Sequence, residues 1–282
     1  MSNVAIVSDS SAYIPKEYAE RYNMTILPLT VNWQGKSLYD GVDIQANDFY
    51  QQLAKSKEMA TTSQVTMGQF LETFDRLLKE GKDVFYMGIS TGLSASVISA
   101  MQAKKELGDP ENLIVMDTRL VSMALTLMVV EVARAAEKGA SLKELKDLAD
   151  DVYPRIGVYF SVNSLEYLHR GGRINSAKRL LGSALNLKPI MEIRDGKIEL
   201  VENVRSQKKA LLRMVDLIER DVAGRTPVRL GPFHALAFDE MVAMEKVAVD
   251  RMHPIEVIRS EVSPVIGSHV GPGTVSMAYM VG

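Results

Sequence analysis

The strongest constraint in this sequence is its first half, where short apolar runs arrive one at a time and an amphipathic stretch follows almost every one. Strands are expected over 4–8, 25–31, 84–87 and 113–116, and helices over 15–21, 47–55, 67–79, 94–106 and 118–138. The helix boundaries carry their own chemistry. Pro15 suits a first helical turn, Gly81 and Gly139 stop two helices, and Ser141-Leu142-Lys143-Glu144 is a capping box for one more. Strands separated by helices cannot pair as hairpins, so they form a mostly parallel sheet covered on both faces. The longest apolar run, 121–130, is bounded by Arg119 and Glu131. It falls short of the ~20 residues of a membrane span and reads as a buried helix.

The pattern changes near Pro154. A strand over 157–162 and a helix over 164–170 precede Gly171-Gly172, and Asp195-Gly196 joins 189–194 to 197–201 as a hairpin. A helix over 206–222, a strand before His234, a helix over 240–252 and strands at 256–260 and 275–281 complete an α+β half with antiparallel pairing. The expected fold class is therefore α/β with two domains: 1–153 with a parallel sheet, and 154–282 of α+β type.

Composition narrows the function. The 33 basic and 35 acidic residues nearly cancel, which disfavours a regulatory or nucleic-acid-binding protein. With no cysteine, four histidines and no HExxH, thiol chemistry is excluded and a zinc enzyme is disfavoured. The run 4–7 is too short for a leader, so the reading is of a cytoplasmic protein without a membrane span. No apolar seam argues for an oligomer, and a monomer is expected.

Several short motifs admit two readings. Gly35-Lys36-Ser37 lacks the first glycine of a phosphate loop, because Thr30 stands there, and no G-x-G-x-x-G occurs. Gly88-Ile89-Ser90-Thr91-Gly92 matches a nucleophile elbow, so a serine hydrolase of acyl esters using Ser90, with His234 or His269 as base, is one alternative; an ordinary βα turn is the other. Ser94 and Ser96 open a helix, either as caps or as anion ligands, and the polar loop Thr61-Thr62-Ser63-Gln64 precedes another in the same way. Arg170-Gly171-Gly172-Arg173 is a helix-ending turn or a site for an anionic group. The loop expected from Gly267 to Gly273 places His269 among three glycines, which implies close backbone approach and tilts that segment towards function.

In order, these blocks resemble the DegV family over essentially the whole chain. They are Asp9-Ser10-Ser11 with Pro15, Thr62-Ser63-Gln64, Ile89-Ser90 with Gly92-Leu93-Ser94, Asp117, and Ser164-Leu165-Glu166-Tyr167-Leu168. Then follow Arg170-Gly171-Gly172-Arg173-Ile174, Leu187-Lys188-Pro189-Ile190, Asp195-Gly196, Val204-Arg205 and Pro264-Val265-Ile266-Gly267-Ser268-His269 with Gly271-Pro272-Gly273. The resemblance implies a two-domain fold with a long-chain fatty acid such as palmitate bound between the domains and no other cofactor. It implies carboxylate ligation by Thr62 and Ser94, with Ser63 beside them and His269 and Arg205 close by. The family usually has glycine after the Ser94 position, where Ala95-Ser96-Val97 stands here, so Ser96 is a second candidate hydroxyl. The best-understood members resemble the binding subunit of a bacterial fatty acid kinase, which presents the acyl group to an ATP-binding kinase subunit for acyl-phosphate formation in phospholipid synthesis. That likeness assigns Arg173, with Arg170, to the partner, and it implies no catalytic activity for the chain alone.

Overall fold

A computed structural model describes residues 3–56, 58–174, 177 and 187–282. The first half opens with strand β1 (Val4–Asp9), helix α1 (Lys16–Arg21) and β2 (Thr25–Leu27). Then come β3 (Thr30–Trp33), β4 (Lys36–Tyr39), α2 (Ala46–Leu53), β5 (Thr61–Ser63) and α3 (Met67–Lys79). It ends with β6 (Asp83–Gly88), α4 (Ser96–Glu106), β7 (Leu113–Asp117), α5 (Ser122–Glu137) and α6 (Leu142–Val152). The sheet β2-β1-β6-β7 is parallel throughout, as expected from the alternation.

Two departures occur here. The single strand expected over 25–31 is two, β2 and β3, divided at Pro28, which has no N–H to give to a ladder. The polar stretch 61–64 was expected to be a loop, yet Thr61–Ser63 pairs with β3 in a separate antiparallel sheet, β4-β3-β5. Its side chains do not alternate between apolar and polar, so only the partner strand makes it a strand.

The second half runs β8 (Ile156–Ser161), α7 (Glu166–Arg170), β9 (Lys188–Arg194), β10 (Lys197–Val204) and α8 (Gln207–Val222). It continues through β11 (Val228–Ala235), α9 (Phe238–Met252), β12 (Glu256–Val257), β13 (Ser260–Glu261), α10 (Pro264–Val270) and β14 (Thr274–Val281). Its sheet, ordered β10-β9-β8-β14-β11-β12 with β13 also on β11, is antiparallel except where β12 and β13 join. Helix α10 corrects another expectation: His269 sits on a helix, not on a glycine loop.

Packing forms layers. Helices α3 and α4 cover one face of the parallel sheet, α5 and α6 the other, while α8 and α9 cover the outer face of the second sheet. Helix α5 also packs on β8, β11 and β14, so it lies between the two sheets. That position accounts for its composition, since a helix apolar all round must be buried on all sides. At its far end an ionic cluster joins the halves: Arg134 pairs with Glu256, and Arg229 contacts both Glu256 (3.3 Å) and Glu131 (3.6 Å). No helix among the described residues is long and apolar enough to cross a membrane.

Candidate functional site

The loops that follow β6 and β7 face the inner surface of the second sheet, and a cavity of about 180 Å³ lies between them. One buried water needs only ~10–15 Å³, so this is a ligand-sized space and not a packing defect. Period-two alternation selects its lining. Val158 and Phe160 project inward from β8, whereas Tyr159 points to the α8 side and donates its hydroxyl to Asp221. Ile193, Ile198, Phe233, Val121 and Val265 extend the apolar wall. Thr62, Ser63, Gln64, Ser94, Arg173 and His269 supply polar groups, with Ser122, Thr274 and Ser276 adding hydroxyls along the wall. A mostly apolar cleft with a few convergent polar groups is the usual form of a small-molecule site.

Thr62 and His269, from β5 and α10, meet with Oγ1 2.8 Å from Nε2. The other ring nitrogen, Nδ1, is buried without a hydrogen-bond partner among the described residues. Burial, reinforced by the nearby Arg173 guanidinium, pushes the imidazole pKa down to about 4, so the ring is neutral near pH 7. An orphaned N–H is costlier than an orphaned acceptor, which places the proton on Nε2, donated to Thr62. The threonine O–H then remains free to donate into the cavity.

Arg173 lies in the cavity wall. Its Nε and Nη2 donate to the Leu93 carbonyl at 3.2 and 3.0 Å, and Nη1 donates to the Gly171 carbonyl at 2.7 Å. Three of five guanidinium N–H groups are thus engaged, and the side chain ties the end of α7 to the loop carrying Ser94. Ser94 lines the cavity, while Ser96 is fully buried behind it: the two hydroxyls are 3.1 Å apart, and Ser96 Oγ accepts the Val65 amide at 3.3 Å. Ser63 Oγ accepts from Asn32 at 2.9 Å. Arg205 is exposed between β10 and α8 and does not line the cavity. Arg170 is exposed as well and pairs with Glu166 at 3.2 Å. The structure therefore brings Thr62, Ser63, Ser94, Arg173 and His269 together and leaves Arg170 and Arg205 outside.

Two further groups set the position of α10 and were not singled out from sequence. Asp40, 1% exposed, accepts the Ser10 hydroxyl at 2.7 Å and the Val265 amide at 3.2 Å, fastening the start of α10 to the first half. Burial raises its pKa to about 7. Tyr50 donates to the Val262 carbonyl at 2.8 Å. The glycines nearby are explained by packing: a Cβ on Gly267 would overlap Tyr50, and one on Gly171 would overlap Nδ1 of His269. The close approach inferred for the glycine-rich segment is thus to side chains of the protein itself, Tyr50 at Gly267 and Tyr167 at Gly271.

The Asp9-Ser10-Ser11 motif is scaffolding. Asp9 is buried, accepts the Ile89 amide and the Tyr86 hydroxyl at 2.9 and 2.8 Å, and holds the start of the 89–94 loop. Ser90 is 1% exposed and donates to the Gly196 carbonyl at 2.7 Å across the interface between the halves. No hydrogen bond joins it to a histidine, so nothing here favours its use as a nucleophile. Among the described residues no group of acidic and histidine side chains is arranged to hold a metal ion.

A family model described as "Uncharacterised protein, DegV family" matches residues 3–281. A DegV domain-containing protein of Streptomyces coelicolor is 37% identical over 273 residues, covering 96% of each chain. Among solved structures, a fatty-acid-binding DegV family protein from Thermus thermophilus superposes with a TM-score of 0.93 at 30% identity over 100% of both chains. A stearic-acid-binding protein from Eubacterium ventriosum superposes with a TM-score of 0.91 at 25% identity, over 99% of this chain and 98% of that one.

Proposed function

Since the chain belongs to the DegV family, we propose that it binds a long-chain fatty acid in the cavity between its halves, headgroup towards Thr62 and Ser94. The observation that carries this reading is the cavity itself, apolar along most of its wall and lined by the Thr62 and Ser94 hydroxyls, the His269 imidazole and the Arg173 guanidinium. Each buried methylene gains ~0.8 kcal/mol, so a tail of ~14 methylenes gains on the order of 11 kcal/mol before ordering costs. The tail supplies affinity; the polar end offsets the cost of burying a carboxylate and decides which end stays near the Ser94 loop. Thr62 and Ser94 donate to the carboxylate, His269 orients the threonine hydroxyl, and the unengaged N–H groups of Arg173 supply positive charge. The likeness to the binding subunit of a fatty acid kinase supports a reading in which the bound acid is held for a separate kinase subunit that forms the acyl phosphate. Arg170, expected with Arg173 to meet the partner, is exposed and open to such contact, whereas Arg173 lies in the cavity wall, and the exposed Arg205 lies away from the headgroup it was expected to support.

Native mass spectrometry of the purified protein, followed by denaturing extraction, tests the binding. The expected result is a stoichiometric adduct of fatty-acid mass. Absence of an adduct, together with no uptake of added palmitate, overturns the reading.

A further inference from the structure

Behind the lipid cavity lies a second, wider crevice between the halves, with a volume of about 880 Å³. The two share a wall: Pro28 and Glu261 line the crevice, while their chain neighbours Leu29 and Val262 line the cavity. Thr62, Ser94, Arg173 and His269 take no part in it.

Two of its polar groups, His234 and Glu261, are withdrawn from solvent. His234 is only 8% exposed, and its Nδ1 accepts the Ala237 amide at 3.2 Å, which leaves the ring proton on Nε2. Nε2 has no hydrogen-bond partner among the described residues, and the ring lines the crevice. On the adjacent strand, in parallel register with His234, stands Glu261. Its carboxylate is half-buried and has neither a hydrogen bond nor an ion pair among the described residues; burial alone raises its pKa. An unpaired carboxylate removed from water is costly, so a cationic occupant is favoured. Of the cations at the rim, Arg259 is paired with Glu245 at 2.7 Å, and Lys16 is exposed to solvent with Glu20 3.5 Å away; neither forms an ion pair with Glu261. Around the pair are Ile14, Met241 and the exposed Phe238, whose ring meets His234 edge-on at 5.7 Å between centroids.

We infer that this crevice is a second ligand site, taking a small organic amine whose ammonium sits on the Glu261 carboxylate. Its apolar body packs against Phe238 and Met241, and an acceptor atom on it meets the Nε2–H of His234. The site stands independently of the lipid reading, because it uses none of the residues assigned to the fatty acid.

Benzylamine is the probe, titrated into the full-length protein and followed by NMR of the His234 ring and the Met241 methyl group. Saturable shifts at both are expected. Benzyl alcohol, similar in shape but neutral, binds roughly tenfold more weakly or worse, and Glu261→Gln weakens benzylamine by about the same factor. Absent shifts, equal binding of the alcohol, or undiminished binding by Glu261→Gln would each overturn the site. If that variant does not fold, Phe238→Ala at the exposed rim replaces it, with weakened binding expected and unchanged binding overturning the proposal. The lipid adduct, read from the same samples by mass spectrometry, is unaffected by Glu261→Gln. Its absence from the wild type bears on the fatty-acid reading alone.

Discussion

Thr62 Oγ1 and His269 Nε2 lie 2.8 Å apart, although 207 residues separate them in the chain. The pair joins a strand of the first half to a helix of the second, so the polar end of the cavity exists only when both halves are in place.

Replacing Thr62 by valine keeps the volume and removes the hydroxyl. A hydrogen bond to a charged group contributes about 1.5–3 kcal/mol, so Thr62→Val and Ser94→Ala should each weaken palmitate binding roughly ten- to a hundredfold. Competition binding with a fluorescent fatty acid measures this, and unchanged displacement curves for both variants would rule out the assigned headgroup site.

Gly171→Ala introduces a methyl group where the His269 ring already stands. Overpacking of this kind costs about 1–3 kcal/mol. The variant should melt at a lower temperature and retain less lipid, because displacing His269 also releases Thr62. A variant with the wild-type melting temperature and lipid content would show that the ring is not held there.

Asp40 confers a pH dependence of definite sign. Its pKa rises from 3.8 to about 7 because burial disfavours the carboxylate. A raised value means that the native state holds the proton more tightly than the unfolded chain does. The stability Asp40 contributes is therefore fully present below pH 3.8 and is lost as the pH rises through about 7. Denaturant titrations of wild type and Asp40→Asn should show the difference in unfolding free energy shifting in favour of the variant across that window. A difference that is independent of pH would sink the assignment.

Ser90→Ala removes the hydroxyl that bridges to Gly196, which should lower stability by about 1 kcal/mol. Neither the variant nor the wild type should react with a fluorophosphonate probe. Covalent labelling of Ser90 in the wild type would restore the esterase alternative.

Much of the architecture can be read along the chain, because it rests on local periodicity. The parallel sheet follows from apolar runs such as Val84 to Met87 alternating with helices, and the Asp195-Gly196 turn marks the β9–β10 hairpin of the second sheet. The small sheet could not be read, because Thr61–Ser63 has no alternation of its own and becomes a strand only by pairing with Val31 and its neighbours. Glycines show the same limit. The Arg170-Gly171-Gly172-Arg173 turn was legible, but not that Gly171 is bare because an imidazole from α10 occupies the space.

By itself, then, the sequence determined the α/β first half, the antiparallel pairing in the second, the buried character of α5 and the family likeness that points to Thr62, Ser94 and His269. Tertiary structure alone decided that Arg173 turns into the cavity while Arg205 stays in solvent, that Ser94 faces the ligand space while Ser96 sits behind it, and that Asp40 fastens α10. The physical reason is range. Strand and helix periodicities are written in neighbouring residues, whereas hydrogen bonds such as Thr62–His269 and Asp40–Val265 join residues brought together only when the two halves close over a common core.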